Sequence, residues 1–158
     1  LNFRAVATVL GLGVFVVALD QLTKDIALSV LDPGKSVPFI GELLKFYLIR
    51  NDSAAFSIGN GQTWIFTLIS AIATLALLWF GPRAKTVSWR VTAGFLLGGV
   101  VGNLIDRVFR EPGFPNGHVI DFLQLPFGFP IFNLADTVIV LTMSVVMIRI
   151  IRGDKVGE

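Results

Sequence analysis

The sequence predicts an all-α membrane protein, with four transmembrane helices and a small extracytoplasmic β-like loop region. Three observations carry this. Hydrophobic residues fill 54% of the 158 positions and charged ones only 15%, with a mean hydropathy of +0.76, a balance far more apolar than that of water-soluble domains. The apolar residues fall into four runs, each long enough to cross a hydrocarbon layer about 30 Å thick. Basic residues gather in short clusters between those runs, where topology signals lie.

The first span is expected over 5–28. Its Ala5 to Leu19 run resembles a signal-peptide core, but it continues through Asp20-Gln21-Leu22-Thr23-Lys24 into Ile26-Ala27-Leu28 without a small-residue cleavage site. The Leu31-Asp32-Pro33-Gly34-Lys35 turn ends it, and Lys45 to Arg50 reads as a strand-like, interfacial stretch. A second span, 63–80, is almost uninterrupted and closes on Gly81-Pro82. Arg83, Lys85 and Arg90 follow with no acidic residue between them. The third and fourth spans are expected over 90–107 and 134–151, joined by a polar loop rich in Pro and Gly.

Four spans return both termini to one side. That side holds Arg4, the Arg83/Lys85/Arg90 loop and the basic tail with Arg149, Arg152 and Lys155, and the positive-inside rule makes it cytoplasmic. The loops 32–62 and 106–133 then face outward. The length suits a single integral membrane domain over 1–158. The chain begins at Leu1, which leaves its natural N-terminus open.

Composition also excludes. There is no cysteine, hence no disulfide, thiolate nucleophile or cysteine metal site, and one histidine makes a histidine-rich metal centre improbable. A net charge of +2 spread over short clusters does not make a nucleic-acid surface.

Charged groups at membrane depth cost several kcal/mol unless they face protein or water, so three polar groups stand out. Asp20 and Lys24, at i and i+4, pair on one helix face, either as a local ion pair or in support of a site. In Gly98-Gly99-Val100-Val101-Gly102-Asn103-Leu104-Ile105-Asp106-Arg107, Gly99, Gly102, Asn103 and Asp106 share one arc. Close helix packing explains the glycines but not Asn103, Asp106 and Arg107. Asn133 and Asp136 open the fourth helix, where an N-cap accounts for them. Asp121 lies in an otherwise apolar stretch leading to that helix and has little reason to be a solvated loop charge.

Two carboxylates sharing a site do not both ionise easily, so one keeps a proton while the other acts as a base, which suits water activation. The loop between Asp121 and Asp136 must return to the helix start, which permits them to converge. Serine chemistry is the enzymatic alternative, with Ser53 or Ser57 as nucleophile and Lys24 or His118 as base. A small transporter or a structural subunit stays open, although polar residues gathered toward one membrane face suit surface chemistry better than a midplane pathway.

Taken together, Asp20-Gln21-Leu22-Thr23-Lys24, Asn51-Asp52-Ser53-Ala54-Ala55-Phe56, Gly98-Gly99 through Arg107, Val119-Ile120-Asp121-Phe122 and Phe132-Asn133-Leu134-Ala135-Asp136 resemble the bacterial lipoprotein signal peptidases, or signal peptidase II. The resemblance implies an aspartic endopeptidase that removes the signal peptide of diacylglyceryl-modified prolipoproteins before the lipid-bearing cysteine. It implies Asp121 and Asp136 as the catalytic pair, Asp20 and Lys24 as supports, and Asn51, Asn103, Arg107, Asn133 and Ala135 as residues that line or brace the cleft. Asp106 is expected to be a structural partner of Arg107. No metal and no cofactor are expected. The expected surroundings are the bacterial inner membrane and its phospholipid bilayer, with the chain acting as a monomer. Ser53 stands where the family usually has Gly, which puts the shape of that cleft wall in question. Phe46, Tyr47, Phe127 and Phe129 are expected as interfacial anchors.

Overall fold

The computed structural model describes residues 2–52 and 62–158. Ser53, Ser57 and the Ala54-Ala55-Phe56 part of the second motif lie outside the described residues. The element order is α1 (Phe3–Val30), β1 (Ser36–Ile40), β2 (Leu44–Asn51), α2 (Thr63–Phe80), a 3-10 turn over Gly81–Arg83, α3 (Val87–Phe109), β3 (Val119–Gln124) and α4 (Leu134–Ile151).

All four helices are long and apolar enough to cross a membrane, with mean hydropathies from 1.3 to 2.1. Their apolar faces point outward. Helix α2 buries only Thr63 and Thr67, and α4 only Ala135 and Thr142, while Ile69, Ile72, Leu75, Val140 and Leu141 are exposed. Such a surface calls for lipid as its solvent. The interior is correspondingly polar. Of the seven largest side chains with under 2% exposure, five are Lys24, Asn133, Asp20, Asp106 and Asp121.

Helix α1 begins at an Asn2 cap, whose side chain accepts from the Arg4 N–H at 3.0 Å. It stops before Asp32-Pro33, since proline disfavours helix at the preceding residue. Its buried residues, Ala5, Val9, Gly13, Val16, Asp20, Lys24 and Ala27, recur every three or four positions and form one stripe facing α3. Helix α3 is central and packs on α1, α2 and α4. Glycines make that packing close. A Cβ on Gly98 would stand 2.4 Å from the Cβ of Val16, and one on Gly94 would stand 2.9 Å from that of Leu12. Helices α1 and α3 run two or three residues past the expected spans at either end, because helical hydrogen bonding continues as far as the Leu31 and Arg110 N–H groups.

The three strands form an antiparallel sheet in the order β1-β2-β3. Strand β2 contains the stretch read as strand-like. The sequence reading had not marked β3 as a strand, and burial explains why. Val119, Ile120, Asp121 and Phe122 are all buried, so the sequence shows no in-out alternation. The sheet sits on the end of α1 through a cluster of Ala27, Leu48, Ile120 and Phe122, with Phe46 packed against it. Phe46 thus belongs to the sheet's core, and Phe127 is fully exposed.

The link from β3 to α4 is a tight reversal. Phe127 and Gly128 both adopt left-handed backbone, with φ of 65° and 70°, as a turn with two positive-φ centres requires. Phe132 then pairs back on Leu123, its N–H donating at 3.0 Å and its carbonyl accepting at 2.8 Å. This pairing returns the chain beside β3 and starts α4 next to Asp121.

Candidate active site

Asn133 organises the start of α4. Its Oδ1 accepts the Asp136 N–H at 2.9 Å, while Asp136 Oδ2 accepts the Asn133 N–H at 3.2 Å, a reciprocal capping box. The N-cap expected from sequence is therefore present, and it also builds the site. Asn133 Nδ2 donates to Asp121 Oδ1 at 2.6 Å and to Asn103 Oδ1 at 3.1 Å. One asparagine bridges the two aspartates.

Each aspartate has a second amide partner. Asn51 Nδ2 donates to Asp121 Oδ2 at 2.8 Å, which places the end of β2 against β3. Asn103 Nδ2 donates to Asp136 Oδ1 at 2.7 Å. The orientation of Asn103 follows from its other neighbour. An ammonium can only donate, so Lys24 Nζ, 3.0 Å away, takes Oδ1 and leaves Nδ2 for Asp136.

Lys24 and Asp20 pair at 2.8 Å, and both are fully buried. Lys24 also reaches Asp106 at 2.8 Å. With Asn103, these contacts engage all three ammonium protons. Asp20 Oδ1 accepts the Ala135 N–H at 2.9 Å, fastening α4 to α1. Gly102 gives this carboxylate room, since a Cβ there would stand 2.6 Å from Asp20 Oδ2.

Asp106 corrects the sequence reading. Its partners are Lys24 and Arg110, each at 2.8 Å, Gln21 at 3.1 Å and the Ile120 N–H at 3.2 Å, and no hydrogen bond or ion pair links it to Arg107. Adjacent residues on a helix point about 100° apart, so Asp106 faces α1 and the sheet while Arg107 faces α2. Sequence reasoning also passed over Gln21 and Arg110. Gln21 Nε2 lies 3.1–3.2 Å from Asp20 Oδ2, the Gly102 carbonyl and Asp106 Oδ1. An intramembrane amide one position from Asp20 was the available signal.

A cleft of about 410 Å³ opens over the aspartates. Asn51, Asn103, Arg107, Asp121 and Asp136 form its polar end, and Val100, Val119, Ile131, Phe132, Ile139 and Val140 contribute apolar wall. Arg107 Nη1 is 3.5 Å from both Ser70 Oγ and the Asn103 carbonyl, and its buried Nε has no partner among the described residues. Burial first, and then the charge of Asp136, push the Asp121 carboxyl up to about 7, against the opposing pull of Asn51 and Asn133. The pair thus has a member able to hold a proton near neutrality. No set of three or more His, Asp or Glu residues suited to a metal occurs among the described residues. His118 is half-buried and bonds through its backbone to Glu111 at 3.0 Å.

The model of the family described as signal peptidase (SPase) II matches residues 12–152. The lipoprotein signal peptidase of Leifsonia xyli subsp. xyli is 47% identical over 135 residues, covering 85% of this chain and 62% of that protein. The chain therefore spans 62% of that relative's length. The lipoprotein signal peptidase of Mycobacterium avium is 41% identical over 158 residues, covering 98% of this chain and 86% of that protein. A solved structure described as a bacterial membrane enzyme superposes with a TM-score of 0.82 at 31% identity, covering 92% of this chain and 88% of that one.

Proposed function

The chain belongs to the signal peptidase II family, and from that premise we propose that it removes the signal peptide of diacylglyceryl-modified prolipoproteins by cleavage before the lipidated cysteine. The observation that carries this reading is the pair of aspartates held by one asparagine at the polar end of an apolar-walled cleft. Lipid and signal helix stay in the bilayer while the peptide bond meets the carboxylates.

We assign the shared proton to Asp121, whose carboxyl titrates near 7. Asp136 sits in the first turn of α4, where the Asn103 amide and the Asn133 N–H both donate to its carboxylate. Asp136 takes a proton from water as the water oxygen attacks the scissile carbonyl carbon. Asp121 donates its proton to the carbonyl oxygen, giving a neutral diol. Collapse returns that proton to Asp121 as the C–N bond breaks, and the amine leaves with the proton held by Asp136. The two groups titrate as a coupled pair. Asn51, Asn103 and Asn133 orient them, Asp20 and Lys24 brace the helices, Ala135 lends its N–H to Asp20, and Arg107 offers its guanidinium to a substrate carbonyl.

The protein acts as a single domain and a monomer in the bacterial inner membrane, without metal, cofactor or nucleic acid. Both termini are cytoplasmic and the site faces outward. The basic residues Arg83, Lys85, Arg149 and Arg152 at the end opposite the sheet support this orientation.

The test is cleavage of a diacylglyceryl prolipoprotein by purified protein in detergent. Asp121→Asn and Asp136→Asn, each verified as folded, are expected to lose at least about 10³-fold in rate. Near-normal cleavage by either variant would overturn the dyad and turn attention to Ser53 or Ser57.

A further inference from the structure

The Lys24 cluster does not balance its charge by itself. Asp20 and Asp106 bring two negative charges and Lys24 one positive, all fully buried. A buried cluster one charge short of neutrality is costly. Arg110, just past the end of α3, supplies the missing charge. Its Nε donates to Asp106 Oδ1 at 2.8 Å, and its Nη2 lies 3.0 Å from Asp25 Oδ1 and 3.3 Å from Gln21 Oε1. Asp25 is 68% exposed and largely solvated, whereas Arg110 is only 19% exposed.

Asp106 stands one bond from the supports of both aspartates. Its Oδ2 holds Lys24, which orients Asn103 on Asp136. The same oxygen accepts the N–H of Ile120, the residue preceding Asp121. Because Arg110 and Gln21 occupy Oδ1, Oδ2 is left to these two tasks.

We propose that Arg110 is a positioning residue for the aspartate pair, neutralising the Asp20–Lys24–Asp106 cluster and holding Asp106 where it serves Asp121 and Asp136 together. The inference rests on the dyad reading and extends it to a side chain outside the cleft lining. Other charged groups around Asp106 are Asp20, Lys24 and Asp25 from α1, Arg107 on α3, Asp121 on β3 and Asp136 on α4. The loop after α3 adds Glu111 and His118, neither with a side-chain hydrogen bond to the cluster.

Without Arg110, the net negative charge beside the dyad favours its protonated forms. Removing a unit charge from a buried network at an effective dielectric of about 20 corresponds to a displacement on the order of one pH unit.

The experiment measures cleavage of a diacylglyceryl prolipoprotein from pH 5 to 9 by the parent, Arg110→Gln and Arg110→Lys, with thermal unfolding as the check on folding. The expected result for Arg110→Gln is a kcat profile displaced upward by about one unit, with lower kcat and little change in KM. Arg110→Lys keeps the charge but loses the fork, so its profile returns to the parent's pH at reduced height. A clamp that merely fastens α1 to α3 would lower activity without moving the profile, and a coincident Arg110→Gln profile overturns the proposal. If Arg110→Gln fails to fold, Arg110→Met takes its place as the charge-removing variant, and a profile coincident with the parent's overturns the proposal. Asp121→Asn and Asp136→Asn run in parallel. Cleavage by them sinks the dyad reading, whereas their inactivity beside a coincident Arg110→Gln profile sinks only the role of Arg110.

Discussion

Both ends of the helix bundle carry ion pairs, but among the described residues a cluster fully withdrawn from water occurs at the sheet end, beneath exposed pairs such as Lys35 with Asp32. There, Lys24 lies between Asp20 and Asp106 with all three side chains fully buried. At the opposite end, Lys85 pairs with Glu158 at 2.7 Å with side chains 70% and 47% exposed, and Arg149 pairs with Asp154 at 2.8 Å. Lys85 also holds the Glu158 carboxyl below its usual range. Water can replace either partner of an exposed pair, so such pairs contribute little. No water replaces a lost partner in the buried cluster, which is why its donors and acceptors are so fully matched. Polar side chains with no alternative partner hold a fixed geometry, and the aspartate pair is built on them.

The contrast is broken most directly at Lys24. Lys24→Met keeps the length of the side chain but leaves Asp20 and Asp106 facing each other without a cation. Thermal and denaturant unfolding in detergent should show a loss of about 3–5 kcal/mol, and cleavage should fall with the loss of Asn103 orientation. Retained stability would mean that the two acids do not need the cation between them.

Space comes next. Gly102→Ala puts a methyl 2.6 Å from Asp20 Oδ2 and should destabilise the protein by up to about 3 kcal/mol. Gly11→Ala, with nothing within 4 Å of the added carbon, should be neutral or stabilising by up to about 1 kcal/mol. Equal unfolding temperatures for the two would deny that close approach at Gly102 matters.

A smaller effect concerns pH. Asp121 has its carboxyl raised from 3.8 to about 7 on folding. The folded state therefore binds the extra proton, and the associated stability is present at low pH and lost as pH rises through 7. Between pH 5 and 8 the parent should lose on the order of 2 kcal/mol through this group, a slope that Asp121→Asn should flatten. For the same reason, kcat should decline above about pH 7 as Asp121 gives up its proton. The smallest effect is expected at the opposite end, where Glu158→Gln should leave both unfolding temperature and cleavage unchanged within error.

Much of this was legible in the residues. The i, i+4 spacing announced the Asp20–Lys24 pair, and Asn133 with Asp136 announced a cap. The arc of Gly99, Gly102, Asn103 and Asp106 is buried as a unit. The partner of Asp106 was misjudged, because adjacency in sequence suggested Arg107 while helical geometry sends the two side chains to different neighbours. Strand β3 was missed for want of alternation, and Arg110 resembled an ordinary basic residue at the end of a span.

The number and type of spanning elements follow from local hydropathy and helical periodicity, since each helix satisfies its backbone internally and needs only lipid around it. The meeting of the aspartates depends instead on contacts between distant segments: the Phe127-Gly128 reversal, the Leu123 and Phe132 pairing and the packing of α3 against α1 and α4. Burial, which pushes the Asp121 carboxyl up to about 7, belongs to the assembled protein. A carboxylate acquires that environment only when segments far apart in the chain exclude water around it together.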